Sequence, residues 1–328
     1  MFNFNDKIVF DDKKYDVLTV GEMLVDMIST DYSDDFECDT YKKYFGGSPA
    51  NIAINSKMLG INSIIVSSVG NDGLGKFLLK KLQEHHIEIK YVRQVDYSTS
   101  MVLVTKSKSS PTPIFYRDAD YHIEYSDELK YLIENTKIVH FSSWPISRNP
   151  SRSTVEILID ECKKYDVLVC YDPNYHSMIW ERGHDGREYI KSLIAKVDII
   201  KPSEDDAERI FGKDTPENQL KKFLDLGAKL VILTLGKDGA IVSNGEETIR
   251  FNTLADEVVD TTGAGDAFWS GFYSGLIKGY TLKKSLELGF AVSAYKLRYV
   301  GAIVDLPDID TIKSMYDLKK TEVLLNGA

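Results

Sequence analysis

Cysteine is scarce in this 328-residue chain: Cys38, Cys162 and Cys170 are odd in number and show no C-x-x-C spacing. Neither a disulfide framework nor a thiolate zinc site is supported, and the three read as buried reduced thiols. No run approaches the ~18 apolar residues of a membrane helix. The first fifteen residues alternate aromatics with Asp and Lys, unlike the apolar core of a signal peptide, so a cytoplasmic setting is expected. Positive charge is also in deficit, 40 Lys and Arg against 50 Asp and Glu, for a formal net charge of −10. Nucleic acid and anionic membrane both ask for a basic face. Neither is expected as a partner, and any bound anion must be held by a local site. There is no internal repeat, low-complexity run or interdomain linker.

What the chain does contain is 43% hydrophobic residues, ample for a core, arranged as short apolar runs alternating with helical segments from Tyr15 to Ala302. That alternation predicts one α/β domain over residues 1–328, doubly wound around a mostly parallel sheet. Two stretches fit poorly into it. Residues 28–45 are polar and aromatic without helical period, and 98–120 hold an alternating run, Met101-Val102-Leu103-Val104, a break, and Ile114-Phe115-Tyr116. Both suit strands of a small second sheet, a lid over a ligand.

Chemistry concentrates in Asp260-Thr-Thr-Gly-Ala-Gly-Asp-Ala-Phe-Trp-Ser-Gly271. With Glu257-Val258-Val259 before it and an apolar-periodic segment after, it reads as strand, tight turn, helix. The amides of Gly263, Ala264 and Gly265 lie bare at a helix N-terminus, where an anion binds without a side chain. Asp266 sits at the edge of that cradle. As a dipole partner alone it contributes roughly 0.3–1 kcal/mol; beside anion-binding amides it is also placed to deprotonate a hydroxyl that attacks a phosphoryl group. Further upstream, Gly46-Gly47-Ser48-Pro49-Ala50-Asn51 pairs glycines that allow close approach to a ligand with a proline suited to a first helical turn.

These two segments, in this order and roughly 200 residues apart, resemble the signatures of the PfkB (ribokinase-like) family of carbohydrate kinases, and the likeness covers nearly the whole chain. It implies the ribokinase-like fold and transfer of the γ-phosphoryl of Mg-ATP to a primary hydroxyl. Asp266 would be the catalytic base, with Gly263, Ala264 and Gly265 as the anion hole. The sugar would fall to Gly46, Gly47 and Asn51, and to Asp26, which otherwise reads as a solvated loop residue after the 17–20 strand. Arg117, in Arg117-Asp118-Ala119-Asp120, would reach the substrate, as would Asn174 in Asp172-Pro173-Asn174-Tyr175-His176. Thr234, Gly236 and Gly239 would neighbour ATP. Ser203 and Asp206 stand where relatives have an Asn-x-x-Glu element organising Mg2+ and phosphate, and an acidic helix start is also ordinary capping. Asp260 and Thr262 would join a monovalent-cation loop, with K+ as an optional third cofactor.

Two departures matter. His176 replaces an Arg of the fructose and ketogluconate kinases, removing a fixed cation for a carboxylate and leaning the reading toward a neutral hexose. Ser203 and Asp206 are shorter than the residues they replace. Fructose, giving fructose 6-phosphate, is therefore the first expectation; 5-dehydro-2-deoxygluconate and 2-dehydro-3-deoxygluconate are alternatives, and a non-catalytic sugar or nucleotide sensor is an alternative of another class. A homodimer paired through the lids is compatible with the aromatic-rich 28–45 stretch. Two decoys are set aside: Gly70-Asn-Asp-Gly-Leu-Gly75-Lys76 lacks the Ser/Thr after Lys that would hold Mg2+, and His140, inside an apolar strand, reads as a core residue.

Overall fold

Runs of Val, Ile and Leu buried on both sides belong in a parallel sheet between helices. The computed structural model describes residues 2–32, 37–106, 113–318 and the backbone of 324–325. Strand β1 (Tyr15–Val20) leads on to β2 (Leu24–Tyr32) and β3 (Tyr41–Gly46), then to β4 (Ser63–Gly70), β5 (Val92–Val95), β6 (Met101–Lys106) and β7 (Ile114–Tyr116). The second half supplies β8 (Thr136–Ser142), β9 (Leu168–Asp172), β10 (Ile199–Ile200), β11 (Leu230–Thr234), β12 (Ala240–Ser243), β13 (Thr248–Phe251) and β14 (Leu324–Leu325).

Ten of them form one sheet in the order β14-β13-β12-β11-β10-β9-β8-β1-β4-β5. Pairing is parallel from β11 to β5 and antiparallel from β11 to β14. The chain winds outward from β1 to β4 and β5, then returns to β8 on the other side of β1. That reversal opens a crevice at the carboxyl ends of β1 and β8, where open α/β sheets take ligands. Alternate side chains serve the two faces. Leu18, Val139 and Phe141 join one apolar core with Leu158, Ile190 and Phe223, while Val17 and Ile138 join another with Ile52, Phe268, Trp269 and Phe272.

The two ill-fitting stretches do form a second sheet, ordered β3-β2-β6-β7. Its central pair is parallel and its outer pairs antiparallel. Residues 33–36 and 107–112 of those stretches lie outside the described residues. The sheet begins earlier than expected, at Leu24, so Asp26 is a strand residue, opposite Tyr44 and Val102.

One local expectation fails. Residues 257–259 form no strand; Val258 and Val259 are 60% and 53% exposed. The amides of Val259 and Asp260 instead donate to the carbonyl of Leu297 at 2.8 and 3.3 Å, at the end of the helix Leu282–Leu297. A β-branched pair with no strand beside it to pair with takes the acceptors a helix C-terminus leaves free.

The decoys behave as read. Asp72 caps the helix Gly73–Glu84 by accepting from the Gly75 amide, and Lys76 is exposed. His140 is fully buried with Nδ1 2.7 Å from the Tyr273 hydroxyl, and burial lowers its pKa to about 3.

Candidate active site

The helix Ala264–Ile277 is buried from Asp266 to Leu276, which fixes its N-terminus beneath the crevice. Its cap, Gly263, has φ 75°, and a β-carbon there would lie 2.7 Å from the Ala302 Cα; only glycine fits. The set of bare amides differs from expectation in one member. The Ala264 amide donates to the Thr261 carbonyl at 3.2 Å, while those of Gly263, Gly265 and Asp266 have no acceptor among the described residues. Ala264 is thus replaced by Asp266 as a main-chain donor, because the αL cap tightens the turn back onto Thr261.

The Asp266 side chain is buried in the crevice and held at both oxygens. Ser48 Oγ donates to Oδ1 at 2.6 Å and Asn51 Nδ2 to Oδ2 at 2.9 Å. Both donors come from the helix Ser48–Met58, which Gly47 (φ 108°) and Pro49 start. Asn51 therefore orients the Asp266 carboxylate, and its own Oδ1 is buried without a hydrogen-bond partner among the described residues. Burial raises Asp266 to about 6, with Asp172 adding to it and Ser48, Asn51 and Lys201 opposing. A carboxyl of that pKa is ionised at neutral pH yet more basic than an exposed one.

Two more carboxyls face the same space. Burial, then the charge of Asp266, raises Asp26 to about 7. Gly46 does not line the crevice; a β-carbon there would stand 2.3 Å from Asp26 Oδ2, so its role is to admit that carboxyl. Glu22, directly after β1, was not singled out in the sequence. It accepts from the Ser48 amide and from Ser142 Oγ at 3.3 and 3.1 Å, and burial raises it to about 8.

Lys201 was also missed. It is 4% exposed at the end of β10, with Nζ 2.9 Å from Asp172 Oδ2, an oxygen that also accepts from Trp269 Nε1 at 2.8 Å. A β-carbon on Gly265 would lie 3.3 Å from that ammonium, so it stands over the free amides. Glu22 and Lys201 follow buried strands at their carboxyl ends, the same signal that picked out Asp26.

Two cavities meet here. One, about 520 Å³, is lined by Glu22, Asp26, Gly47, Asn51, Asn174 and Asp266 among others. Leu24, Val102, Val104 and Phe115 of the second sheet form an apolar wall of it. The other, about 430 Å³, is lined by Gly236, Gly239, Leu254, Val258, Phe290 and Leu297. Lys201, Thr234 and Gly265 line both. A larger groove, about 680 Å³ beside Arg152, Trp180 and Tyr189, shares none of these residues.

Three expectations are revised by the geometry. Arg117 does not reach the crevice. Its side chain is 1% exposed, and its five N–H groups go to Asp120, Ser147 Oγ and the carbonyls of Ile179 and Trp144. With every donor spent, it fastens the end of β7 to the turn after β8. Ser203 and Asp206 line the sugar-sized cavity but form a capping box at the helix Glu204–Phe211, and Asp206 Oδ1 also accepts from the Tyr175 amide at 2.6 Å. The shorter side chains reach the backbone beside them. Asp260 accepts from Thr262 N and Oγ1 and from the Gly301 amide, and its carbonyl accepts from Lys296 Nζ at 2.7 Å. Donors already occupy the Asp260 oxygens a monovalent cation would need, and a cation beside Lys296 would be repelled, so Asp260 does not fit K+.

A family model described as pfkB family carbohydrate kinase matches residues 14–309. Among curated proteins, a 5-dehydro-2-deoxygluconokinase of Clostridium perfringens is 28% identical over 327 residues, 96% of this chain and 97% of that protein. Among solved structures, a fructokinase of Halothermothrix orenii is 41% identical with a TM-score of 0.75, covering 84% of this chain and 97% of that one. An uncharacterized sugar kinase of Pyrococcus horikoshii, solved in complex with ATP, is 29% identical with a TM-score of 0.79, covering 93% and 99%.

Proposed function

The chain belongs to the pfkB family of carbohydrate kinases, and from that premise we propose that it transfers the γ-phosphoryl of Mg-ATP to the primary hydroxyl of fructose. The observation that carries the proposal is the junction of the two cavities at Lys201, Thr234 and Gly265, with Asp266 on one side of it. The apolar walls of the 430 Å³ cavity, Leu254, Phe290 and Leu297, suit a nucleotide base, and the Gly236 and Gly239 turn lets the backbone approach it. Its phosphate end then points at Lys201 and the free amides.

Asp266 takes the proton of the attacking hydroxyl, which Asn51 Oδ1, Asp26 and Glu22 orient through the sugar's other hydroxyls. The amides of Gly263, Gly265 and Asp266, with Lys201, receive the negative charge that spreads over the transferring oxygens. Among the described residues there is no cluster of three or more His, Cys, Asp or Glu that could hold a metal. Mg2+ usually enters such sites through phosphates and one or two carboxylates; bound there with ATP, it would neutralise phosphate charge. Asp206 lines the cavity, but its oxygens already accept from Ser203 and Tyr175, so phosphate oxygens and water would supply most of the ligands. The β2, β3, β6 and β7 sheet acts as a lid that excludes water as a competing acceptor. Its exposed Tyr32 and Tyr116 support pairing of two chains through their lids. The supply of ATP supports a cytoplasmic setting.

Charge supports a neutral sugar. Burial holds Glu22 largely protonated at neutral pH, yet Asp26, Asp172, Asp206 and Asp266 still outnumber the two cations that line the crevice, Lys201 and Arg209, and Lys201 is paired to Asp172. His176 lines it too, but burial and then Arg209 lower its pKa, so it adds no positive charge. The second reading, 5-dehydro-2-deoxygluconate, rests on Arg209: Nη1 donates to the Tyr175 carbonyl at 3.2 Å and the contact with Asp205 is a long 3.7 Å, so its remaining N–H groups could receive a carboxylate. 2-Dehydro-3-deoxygluconate is third. A binding-only sensor is disfavoured by a base held at both oxygens.

A coupled ADP-release assay over fructose, both keto-deoxygluconates, ribose and nucleosides tests this. The expected result is a kcat/KM for fructose at least tenfold above the rest. Preference for a keto acid would move the assignment to the second reading, and no turnover on any sugar would reject the proposal.

A further inference from the structure

A second ammonium lies behind the anion hole. Lys296, in the last turn of the helix Leu282–Leu297, is 0% exposed, among the largest side chains wholly removed from solvent. Its Nζ donates to the carbonyl of Asp260 at 2.7 Å. Burial acts against its charge, while Asp260 and Asp266 favour it. Desolvating an ammonium is unfavourable, so its place calls for a return elsewhere.

The peptide it grips starts the turn that ends in the free amides. Asp260 is fixed at every polar atom: its amide on Leu297, its carboxylate under Thr262 and Gly301, its carbonyl on Lys296. Three residues on, Gly263 is packed against Ala302, and Ser293 Oγ bonds the Ala264 carbonyl at 2.9 Å. The turn and the end of the helix therefore move as one piece, and the ammonium is the charge at its centre. An alkylammonium binds carbonyl oxygen much as K+ does, and this one is tethered.

We propose that Lys296 is a positioning residue that replaces a monovalent cation: its tethered ammonium holds the Asp260–Gly263 turn in the conformation that aims the Gly263, Gly265 and Asp266 amides, so the enzyme needs no K+. This rests on the kinase reading but not on the identity of the sugar.

The test compares wild type with Lys296→Met, similar in length and uncharged, using whichever sugar the panel selects. KCl or NH4Cl is varied from zero to 100 mM at about constant ionic strength, with tetramethylammonium chloride as filler. Wild-type kcat is expected to change less than twofold. Lys296→Met should lose roughly ten- to hundredfold in kcat, the scale of an ångström misplacement of catalytic groups, with the sugar KM unchanged. K+ or NH4+ should then restore part of the loss. A melting curve reads the same site without activity: K+ should raise the variant's Tm and leave the wild type's unchanged. Several-fold K+ activation of the wild type overturns the proposal, as does a variant with normal kcat, or one that neither K+ nor NH4+ rescues in kcat or Tm. If the variant fails to fold, wild-type K+ dependence decides. If no sugar is turned over, the kinase reading fails by itself and the melting curves still decide the cation question.

Discussion

Replacing Asp266 by Asn separates chemistry from stability. Asp266 is an acid whose folded pKa, about 6, lies above its ordinary 3.8. Such a group stabilises the fold fully below the lower value, and the contribution is lost as pH rises through the higher one. At pH 7.5 the buried charge therefore destabilises the native state by roughly 3 kcal/mol at 1.4 kcal/mol per pH unit. Asn keeps the shape, and the Ser48 hydroxyl can rotate to accept where it now donates, so both contacts survive. The pKa of about 6 already nets the two bonds' preference for the charged form against burial, so the expectation is stabilisation by about 3 kcal/mol. With an unfolding entropy near 0.7 kcal/mol/K for 328 residues, Tm should rise by roughly 4 °C. Turnover should fall about 10²–10⁴-fold, the usual worth of a general base, with KM for ATP little changed. A coupled ADP assay and a thermal melt on the same preparation measure both. Turnover within fivefold of wild type would refute the base assignment, and a lowered Tm would refute the desolvation argument.

Glu22, raised by burial from 4.5 to about 8, should make wild-type Tm fall by roughly 2 °C per pH unit between about pH 5.5 and 7.5, because the folded state keeps a proton that the unfolded chain has already released. Glu22→Gln should flatten that slope, and parallel Tm–pH curves would show that the carboxyl titrates normally. For Arg117→Ala, the buried Asp120 left without its partner should cost about 3–5 kcal/mol, near 6 °C in Tm. Measured well below the melt, the sugar KM should stay within about threefold. A direct charged contact with the sugar would instead be worth about 1.5–3 kcal/mol, or at least tenfold in KM, so a rise of that size would return Arg117 to the binding site.

The fold was legible because its signals are local and redundant. Ile64-Ile65-Val66 and Ile138-Val139 put apolar side chains on both faces in succession, as a strand buried on two sides requires. Asp266 was legible for a similar reason: a glycine turn entering an apolar helix fixes where its first carboxylate must be. Side-chain destinations were not. Whether Arg117 turns toward a ligand or toward Asp120, three residues on, depends on Ser147 and Ile179, distant in sequence. Val258 and Val259 have the composition of a strand but no neighbour to pair with. Lys201 and Lys296 look like any other lysine until the helix Ala264–Ile277 is laid against them.

Those two lysines answer the problem that composition posed. A chain of net charge −10 repels ATP at long range, but salt screens exposed charges beyond about 8 Å, so the balance is struck by what lies inside that radius. There the protein sets free amides at a helix N-terminus, one ammonium facing them from Lys201 and another behind their turn from Lys296. Both ammoniums are nearly or wholly removed from water, where charge interactions are less screened than at the surface. The carboxyls of Asp26 and Glu22 could not be tolerated beside a phosphoryl group if both were ionised. Burial that pushes them to about 7 and 8 leaves Glu22 mostly protonated at neutral pH and Asp26 partly so. The desolvation that weakens the fold thus also keeps the sugar side of the crevice from opposing the anion on the other.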